Sequence, residues 1–374
     1  MIERNDRIDV PGGLYWQSRF FAATAPLWKW LGDLETRVVA DEIDELQVRD
    51  PIYVTSLARA GTTIVTEMLE AHPALACHHY SDFPNAWTPY WRNHLLQRTR
   101  RQAPRAAERA HRDRIVVSHD SPEAVEEVLW MAFFEGLHDP SKSGVLDESS
   151  DNAAFERFYR DHIRKLLAVR RAERYLAKGN YNISRLAYLQ RLYPDARFLV
   201  PVRAPQQHIA SLVKQHRLFS RGHALDARVG RQLAMSGHFE FGPFRRAVHF
   251  GDAKSAEAIE AAWREGREIE GWARYWSATY AFLADQLEAR PALDDRCLLF
   301  TYEDLCTESE TVIDAILAHC DLDPQPFAEA RARYAERLSL PDYYDDRLTG
   351  AESDLVQALC GNVYTRIRTR CLEI

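Results

Sequence analysis

Cysteine is scarce in this chain and scattered. The six (Cys77, Cys297, Cys306, Cys320, Cys360 and Cys371) include no pair at metal-ligand spacing. That excludes a zinc-ribbon or disulfide scaffold and fits a reduced, cytoplasmic protein with no metal. No apolar run reaches the roughly 18 residues of a membrane span, so none is expected. The opening MIERNDRIDVPGG lacks a signal-peptide pattern. Basic charge is not in excess: 48 Lys and Arg face 55 Asp and Glu, a net of −7, which argues against nucleic acid as a partner. There is no internal repeat and no low-complexity segment. Also missing is G-x-x-x-x-G-K-[ST], the loop of ordinary ATPases and kinases. Hydrophobic residues make up 46%, enough for a sizeable core.

The richest stretch is residues 51–73, PIYVTSLARAGTTIVTEMLEAHP. Ile52 to Thr55 reads as a buried parallel strand, and Ser56 to Gly61 as a tight turn. Thr62 and Thr63 open an amphipathic helix whose apolar side carries Ile64, Val65, Met68 and Leu69. A strand that turns into a helix N-terminus is an anion site. The first helical N–H groups lack a backbone acceptor, and the macrodipole favours negative charge there. Arg59 adds a fork of donors suited to phosphate or sulfate oxygens. The expected cradle is Arg59, Ala60, Gly61, Thr62 and Thr63.

Further strands are expected at 75–80, 175–178, 198–202 and 297–301. Helices are expected over 14–46, 122–137, 152–171, 183–192, 205–215, 254–289 and 309–319. Residues 216–253, rich in Gly, His, Arg and Phe, read as irregular. The tail is mostly helical with a break at Pro341. Strands alternating with helices predict an α/β fold: a parallel sheet flanked by helices, with large helical insertions. No linker divides the chain. It is expected to be one domain over 1–374, with an N-terminal helical segment (1–46), a core (51–323) and a C-terminal helical tail (324–374). Trp16, Phe20, Phe21, Leu27, Trp28 and Leu31 form the expected docking face of the first segment. Trp263, Trp272 and Trp276 read as core. Arginines 98, 100, 101, 105, 109, 112 and 114 read as a charged helix face, or as a positive surface over the site mouth.

A second motif, residues 193–212, YPDARFLVPVRAPQQHIASL, ends a strand at Arg203 and brings Ser211 to the second turn of the next helix. Arg203 and Ser211 are placed to hold a further phosphate at the mouth of the sheet. Two phosphate sites on adjacent strands suit a nucleotide with phosphates on both its 5′ and 3′ oxygens.

Together these motifs resemble the sulfotransferase family that uses 3′-phosphoadenosine 5′-phosphosulfate (PAPS). The loop is similar to the family's T-G-L-P-R-S-G-T-T, and residues 193–212 to its F-P-D-A-R-F-…-R-D-P-…-S-L. A third match is LLFTYEDLCTESETVIDAILAHCDLD at 298–323. The likeness is to bacterial sulfotransferases and, in loop style, to the tyrosyl-protein branch, and it implies a P-loop fold. Departures are Ser56 for Gly, Ala58 for Pro, Ala60 for Ser and Ala204 for Asp. No R-K-G clamp for the 3′-phosphate is visible; Arg366, Arg368 and Arg370 are candidate substitutes. The resemblance implies PAPS as co-substrate without a metal. It implies a hydroxyl or amine acceptor, whether small molecule, lipid, glycan or peptide. It places Lys178 at the sulfuryl bridge and Tyr302 near the nucleotide. Asn180 stands where animal cytosolic enzymes carry a His base, and Asn cannot take a proton. The tyrosyl-protein branch uses a Glu just after the second strand. Here that region is ACHHYSDFP, so Asp82 and His79 are the candidate bases, with His78 less favoured. Asp82 also suits a turn before Phe83-Pro84, and His79 a packed histidine. Two rivals remain: a P-loop ATP-dependent phosphotransferase and a non-catalytic nucleotide-binding protein on the same fold. Oligomeric state is not indicated.

Overall fold

The computed structural model describes residues 7–99, 107–108, 110–111, 116–340 and 348–374. Five parallel strands form the central sheet: β1 (Ile52–Val54), β2 (Leu75–Ala76), β3 (Arg174–Lys178), β4 (Arg197–Val202) and β5 (Cys297–Thr301). Their spatial order is β2-β3-β1-β4-β5, so β1 lies at the centre, and all pairings are parallel. In register, Val54 lies opposite Lys178 and Leu199, and Val202 opposite Thr301. The chain therefore leaves Val54, Lys178, Val202 and Thr301 at one edge. That carboxyl-end edge is where open α/β sheets bind ligands.

Burial on both faces explains the unbroken apolar runs. Tyr53, Ala177, Phe198 and Val200 belong to one core cluster, while Ile52, Val54, Leu176 and Phe300 belong to the other. Alternation along each strand feeds both layers. In chain order the helices that matter for the site are α1 (Gly12–Ala23), α2 (Ala25–Val38), α3 (Thr62–Glu70), α4 (Glu127–Phe133), α5 (Ala153–Arg170), α6 (Pro205–Leu225), α7 (Arg228–Met235), α8 (Ala253–Arg264), α9 (Glu268–Ala289) and α10 (Ser309–His319). Trp263, Trp272 and Trp276 are buried in the first cluster, as their spacing predicts.

Several elements differ from expectation. The strand at 75–80 stops after Ala76, and Tyr80–Asp82 form a 3-10 turn. The helix at 122–137 begins only at Glu127, because Glu123 is held by the His78 carbonyl through its N–H. The irregular reading of 216–253 fails for its first half: α6 runs on to Leu225, and α7 follows. The helix at 254–289 is two helices, broken at Gly266, whose φ of 77° lies in the left-handed region. Trp16, Phe20 and Leu27 do not dock but face solvent. The Pro341 break and most of the arginine run lie outside the described residues; Arg98 falls within the helix Pro89–Thr99.

Candidate active site

The loop after β1 is shaped by two left-handed residues, Arg59 (φ 75°) and Gly61 (φ 105°). A Cβ at Gly61 would lie 2.6 Å from Cδ2 of Tyr302, so only glycine lets the loop rest on that ring. Gly61 also precedes the first turn of α3. Ala60 is buried and its N–H donates to the Leu57 carbonyl at 3.2 Å, so it holds the turn closed and aims no donor outward. The family departures are absorbed by packing. The Ser56 hydroxyl donates to the Pro201 carbonyl at 2.6 Å. His208 Nε2 lies 2.8 Å from the Ala58 carbonyl, while its Nδ1 accepts from Trp276 Nε1 at 3.1 Å. Burial, helped by Arg203 and Arg59, pushes the His208 pKa down to about 3, so the ring is neutral and bolts the loop to α6 and α9.

Both arginines stand together. Arg59 Nε donates to Ser211 Oγ at 3.3 Å. Arg203 Nη1 donates to the Arg59 carbonyl at 3.4 Å, and its guanidinium sits 5.2 Å from the Tyr302 ring centroid. The structure thus gathers Arg59, Gly61, Arg203, Ser211 and Tyr302 at the carboxyl ends of β1, β4 and β5. Arg203 and Ser211 are buried there. The N–H of Ala204 donates to Glu303 Oε1 at 3.1 Å, which fixes the start of α6.

Next to this cradle lies a cavity of about 70 Å³ lined in part by Arg59, Thr62, Thr63, Lys178, Glu123 and His238. Its polar groups form two linked pairs. Lys178 Nζ is 3.6 Å from Glu123 Oε1. Asn180 accepts from Thr62 Oγ1 at 3.3 Å and donates to Glu240 Oε1 at 2.9 Å, and Glu240 Oε2 lies 3.5 Å from His238 Nδ1. Burial by itself would raise the Glu123 pKa. The Lys178 ammonium, then His238, the Tyr80 hydroxyl and the Ala124 N–H outweigh it and hold the carboxyl down at about 2. For His238 burial would lower the pKa, yet Glu240 and Glu123 raise it above its ordinary value. The cavity thus alternates cation and carboxylate, and Glu123 is ionised across the physiological range.

Asp82 and His79 sit elsewhere. Asp82 is 0% exposed. Its oxygens meet His78 Nδ1 (3.1 Å), the His79 N–H (2.9 Å), Asn93 Nδ2 (3.2 Å) and Arg170 Nη2 (2.6 Å). Burial opposes ionisation, but the His78 bond and the Arg170 charge hold the carboxyl well below the usual carboxylate range. His79 Nε2 is 3.1 Å from Glu70 Oε1, and with Cys77 these form the one set of three ligand-type atoms within 4.8 Å of one another among the described residues. Burial pushes the Cys77 thiol up, away from a ligating thiolate. Neither Asp82 nor His79 lines the cavity. Arg366, Arg368 and Arg370 pair with Glu288, Asp304 and Asp294. Glu123, His238 and Glu240 were not singled out by the sequence. Their only signals were a Pro-Glu step before an apolar segment and a His-x-Glu in a stretch read as irregular.

The model of the sulfotransferase family matches residues 51–238. The structure is similar to a sulfotransferase from Mycobacterium avium at a TM-score of 0.52, with 14% identity, covering 88% of this chain and 80% of that one. A sulfotransferase from Mycobacterium tuberculosis scores 0.49 at 16% identity, covering 92% of this chain and 85% of that one. The first supports the fold. No match was found among curated proteins. Among the described residues, no helix is long and apolar enough to cross a membrane.

Proposed function

The chain belongs to the sulfotransferase family, and from that premise we propose that it moves a sulfuryl group from PAPS to a hydroxyl or amine acceptor, releasing 3′,5′-ADP. The observation that carries this reading is the joining of two cationic positions on neighbouring strands: Arg59 bonded to Ser211, and Arg203 bonded to the Arg59 carbonyl. Arg59 and the first N–H groups of α3 hold the 5′-phosphate side, and Arg203 with Ser211 the 3′-phosphate. Tyr302 supports both through Gly61 and the Arg203 guanidinium. In this reading Arg59 and Lys178 on the cavity, with Arg203 behind the loop, supply the positive charge and no metal takes part.

In the transfer the acceptor oxygen or nitrogen bonds to sulfur as the bond between sulfur and the 5′-phosphate oxygen breaks. Negative charge grows on that phosphate oxygen, where Arg59 and Lys178 stabilise it. The acceptor's proton passes to Glu123, the ionised carboxylate of the cavity. A carboxylate with a pKa of about 2 is a poor base, but its strongest stabiliser is Lys178. When Lys178 turns to the developing charge, Glu123 loses that partner and its proton affinity rises. Donor binding and base activation are thus coupled through one ammonium. His238, held by Glu240, adds a second positive group beside Glu123.

The test is turnover of PAPS with alcohol, phenol and amine acceptors, read as 3′,5′-ADP released together with sulfated product. Acceptor-dependent release is expected, and Glu123→Gln is expected to lower it by about 10²–10⁴-fold. Phosphoryl transfer from ATP in place of sulfuryl transfer from PAPS contradicts the reading.

A further inference from the structure

The residues that carry His238 and Glu240 into the charged cavity lie outside any helix or strand. They leave the end of α7, where the Gly237 N–H donates to the Ala234 carbonyl at 3.2 Å and the His238 N–H to the Leu233 carbonyl at 2.9 Å. Backbone of this kind shifts easily unless other groups fix its polar atoms. Here the fixing groups stand outside the cavity. Phe239, between His238 and Glu240, is not part of the cavity wall. Its N–H donates to the Tyr181 hydroxyl oxygen at 2.9 Å, away from solvent. Its ring centroid is 4.7 Å from that of His138, and the same His138 ring is 4.5 Å from that of Tyr181. Tyr181 belongs to the short 3-10 turn Asn180–Ser184, which follows β3. Its neighbour Asn180 holds Glu240. One turn just beyond Lys178 therefore secures two successive residues of the segment.

The second support is Glu127, the first residue of α4. Gly237 rests on it. At the φ of 78° found there, an added Cβ would fall 2.7 Å from both Cβ and Cγ of Glu127. Glu127 is itself fixed. Arg185 donates to its two oxygens at 2.7 and 3.0 Å, and His138 Nε2 lies 2.6 Å from Oε1. The Arg185 guanidinium in turn lies 4.6 Å from the Trp130 ring centroid. Glu127 and Arg185 are both buried. A buried ion pair adds little net stability over apolar packing of the same volume, which points to a role in geometry. Glu127 stands four residues from Glu123, and Gly237 one residue from His238. The pair thus sets the spacing between two cavity groups whose charges act on each other.

We propose that Tyr181 is a positioning residue for the transfer: with Glu127 beneath Gly237, it holds His238 at a fixed distance from Glu123 without touching substrate itself. The chemistry rests on the sulfotransferase reading, but the positioning is read with neither donor nor acceptor present. His238 faces Glu240 on its own segment, and Glu123 and Lys178 across the cavity, whose wall also carries Arg59 and His111. Against burial and Lys178, the two carboxylates raise its pKa above the ordinary 6.5. That pKa therefore reports how closely the segment is held.

Tyr181→Phe removes the acceptor of the Phe239 N–H and keeps the ring. The His238 pKa is followed by NMR of the full chain labelled in its histidine rings, the signal being assigned by its loss in His238→Gln. In Tyr181→Phe it is expected to fall toward 6.5, while the chain remains folded by circular dichroism and 3′,5′-ADP affinity stays as in the wild type. Gly237→Ala, which pushes the segment off Glu127, is expected to move the same pKa in the same direction. In turnover Tyr181→Phe is expected to lower kcat by about 10–10²-fold with the KM for PAPS unchanged. A His238 pKa that keeps its wild-type value in both variants overturns the proposal, as does one that moves only together with lost 3′,5′-ADP affinity, or a full kcat in Tyr181→Phe once the pKa has moved. A shifted His238 in a protein whose wild type does not turn over PAPS instead removes the sulfotransferase reading and leaves the positioning of His238 standing.

Discussion

A methyl in place of the Gly61 hydrogen would press a carbon to 2.6 Å from Tyr302 at a φ of 105°. Such strain costs on the order of 1–3 kcal/mol. Gly61→Ala is therefore expected to lower the unfolding free energy by about that much and weaken 3′,5′-ADP binding, checked by urea denaturation and calorimetric titration. Unchanged affinity would detach the loop from nucleotide binding. Glu123 offers a second check. Its carboxyl titrates at about 2 in the folded chain against an ordinary 4.5. A depressed carboxyl pKa means stability that is present above about 4.5 and lost as pH falls toward 2. Lys178→Met removes the leading cause, so the folded pKa rises and the loss between those pH values becomes shallower. Urea unfolding at stepped acidic pH reads the slope. Equal slopes in both proteins would mean that Lys178 does not hold Glu123 ionised.

At the level of elements, the 3-10 turn Tyr80–Asp82 is a structural joint. Asp82 ties it to Arg170 on α5 and to His78. Removing one partner of a buried pair leaves the other uncompensated, about 3–5 kcal/mol. Asp82→Asn is expected to cost stability of that order while kcat per folded molecule stays within a few-fold. A hundredfold loss of kcat in a variant that remains fully folded would return Asp82 to the chemistry. The sequence foretold elements best where local and tertiary signals agree. The unit β1–loop–α3 has a run buried on both faces, a glycine turn and an apolar helical stripe, and it forms as read. β4 with Arg203, and β5 with Tyr302, follow for the same reason. Elsewhere long-range contacts win. Strand 75–80 ends where His79 and Asp82 bond each other's backbone, and helix 122–137 is shortened because Glu123 is recruited to the site. Glu123 escaped notice because its role comes from Lys178, 55 residues away, and His238 because its His-x-Glu pairing with Glu240 lies in a stretch read as irregular.

For the whole molecule, the sheet order puts the central strand β1 between β3 and β4, so one loop meets a lysine on one side and an arginine on the other. The architecture turns three separate sequence motifs into one positive edge, with the acidic Glu123 and Glu240 set beside it. On the proposed reading, that arrangement holds a nucleotide charged at both ends of its ribose and is expected to favour 3′,5′-ADP over ATP. The direct measurement is calorimetric titration of each nucleotide into the wild type and Arg203→Ala. Tighter binding of 3′,5′-ADP than ATP is predicted, with a loss in Arg203→Ala that is much larger for 3′,5′-ADP than for adenosine 5′-phosphosulfate. Tighter binding of ATP, or equal losses for the two adenylates, would contradict it.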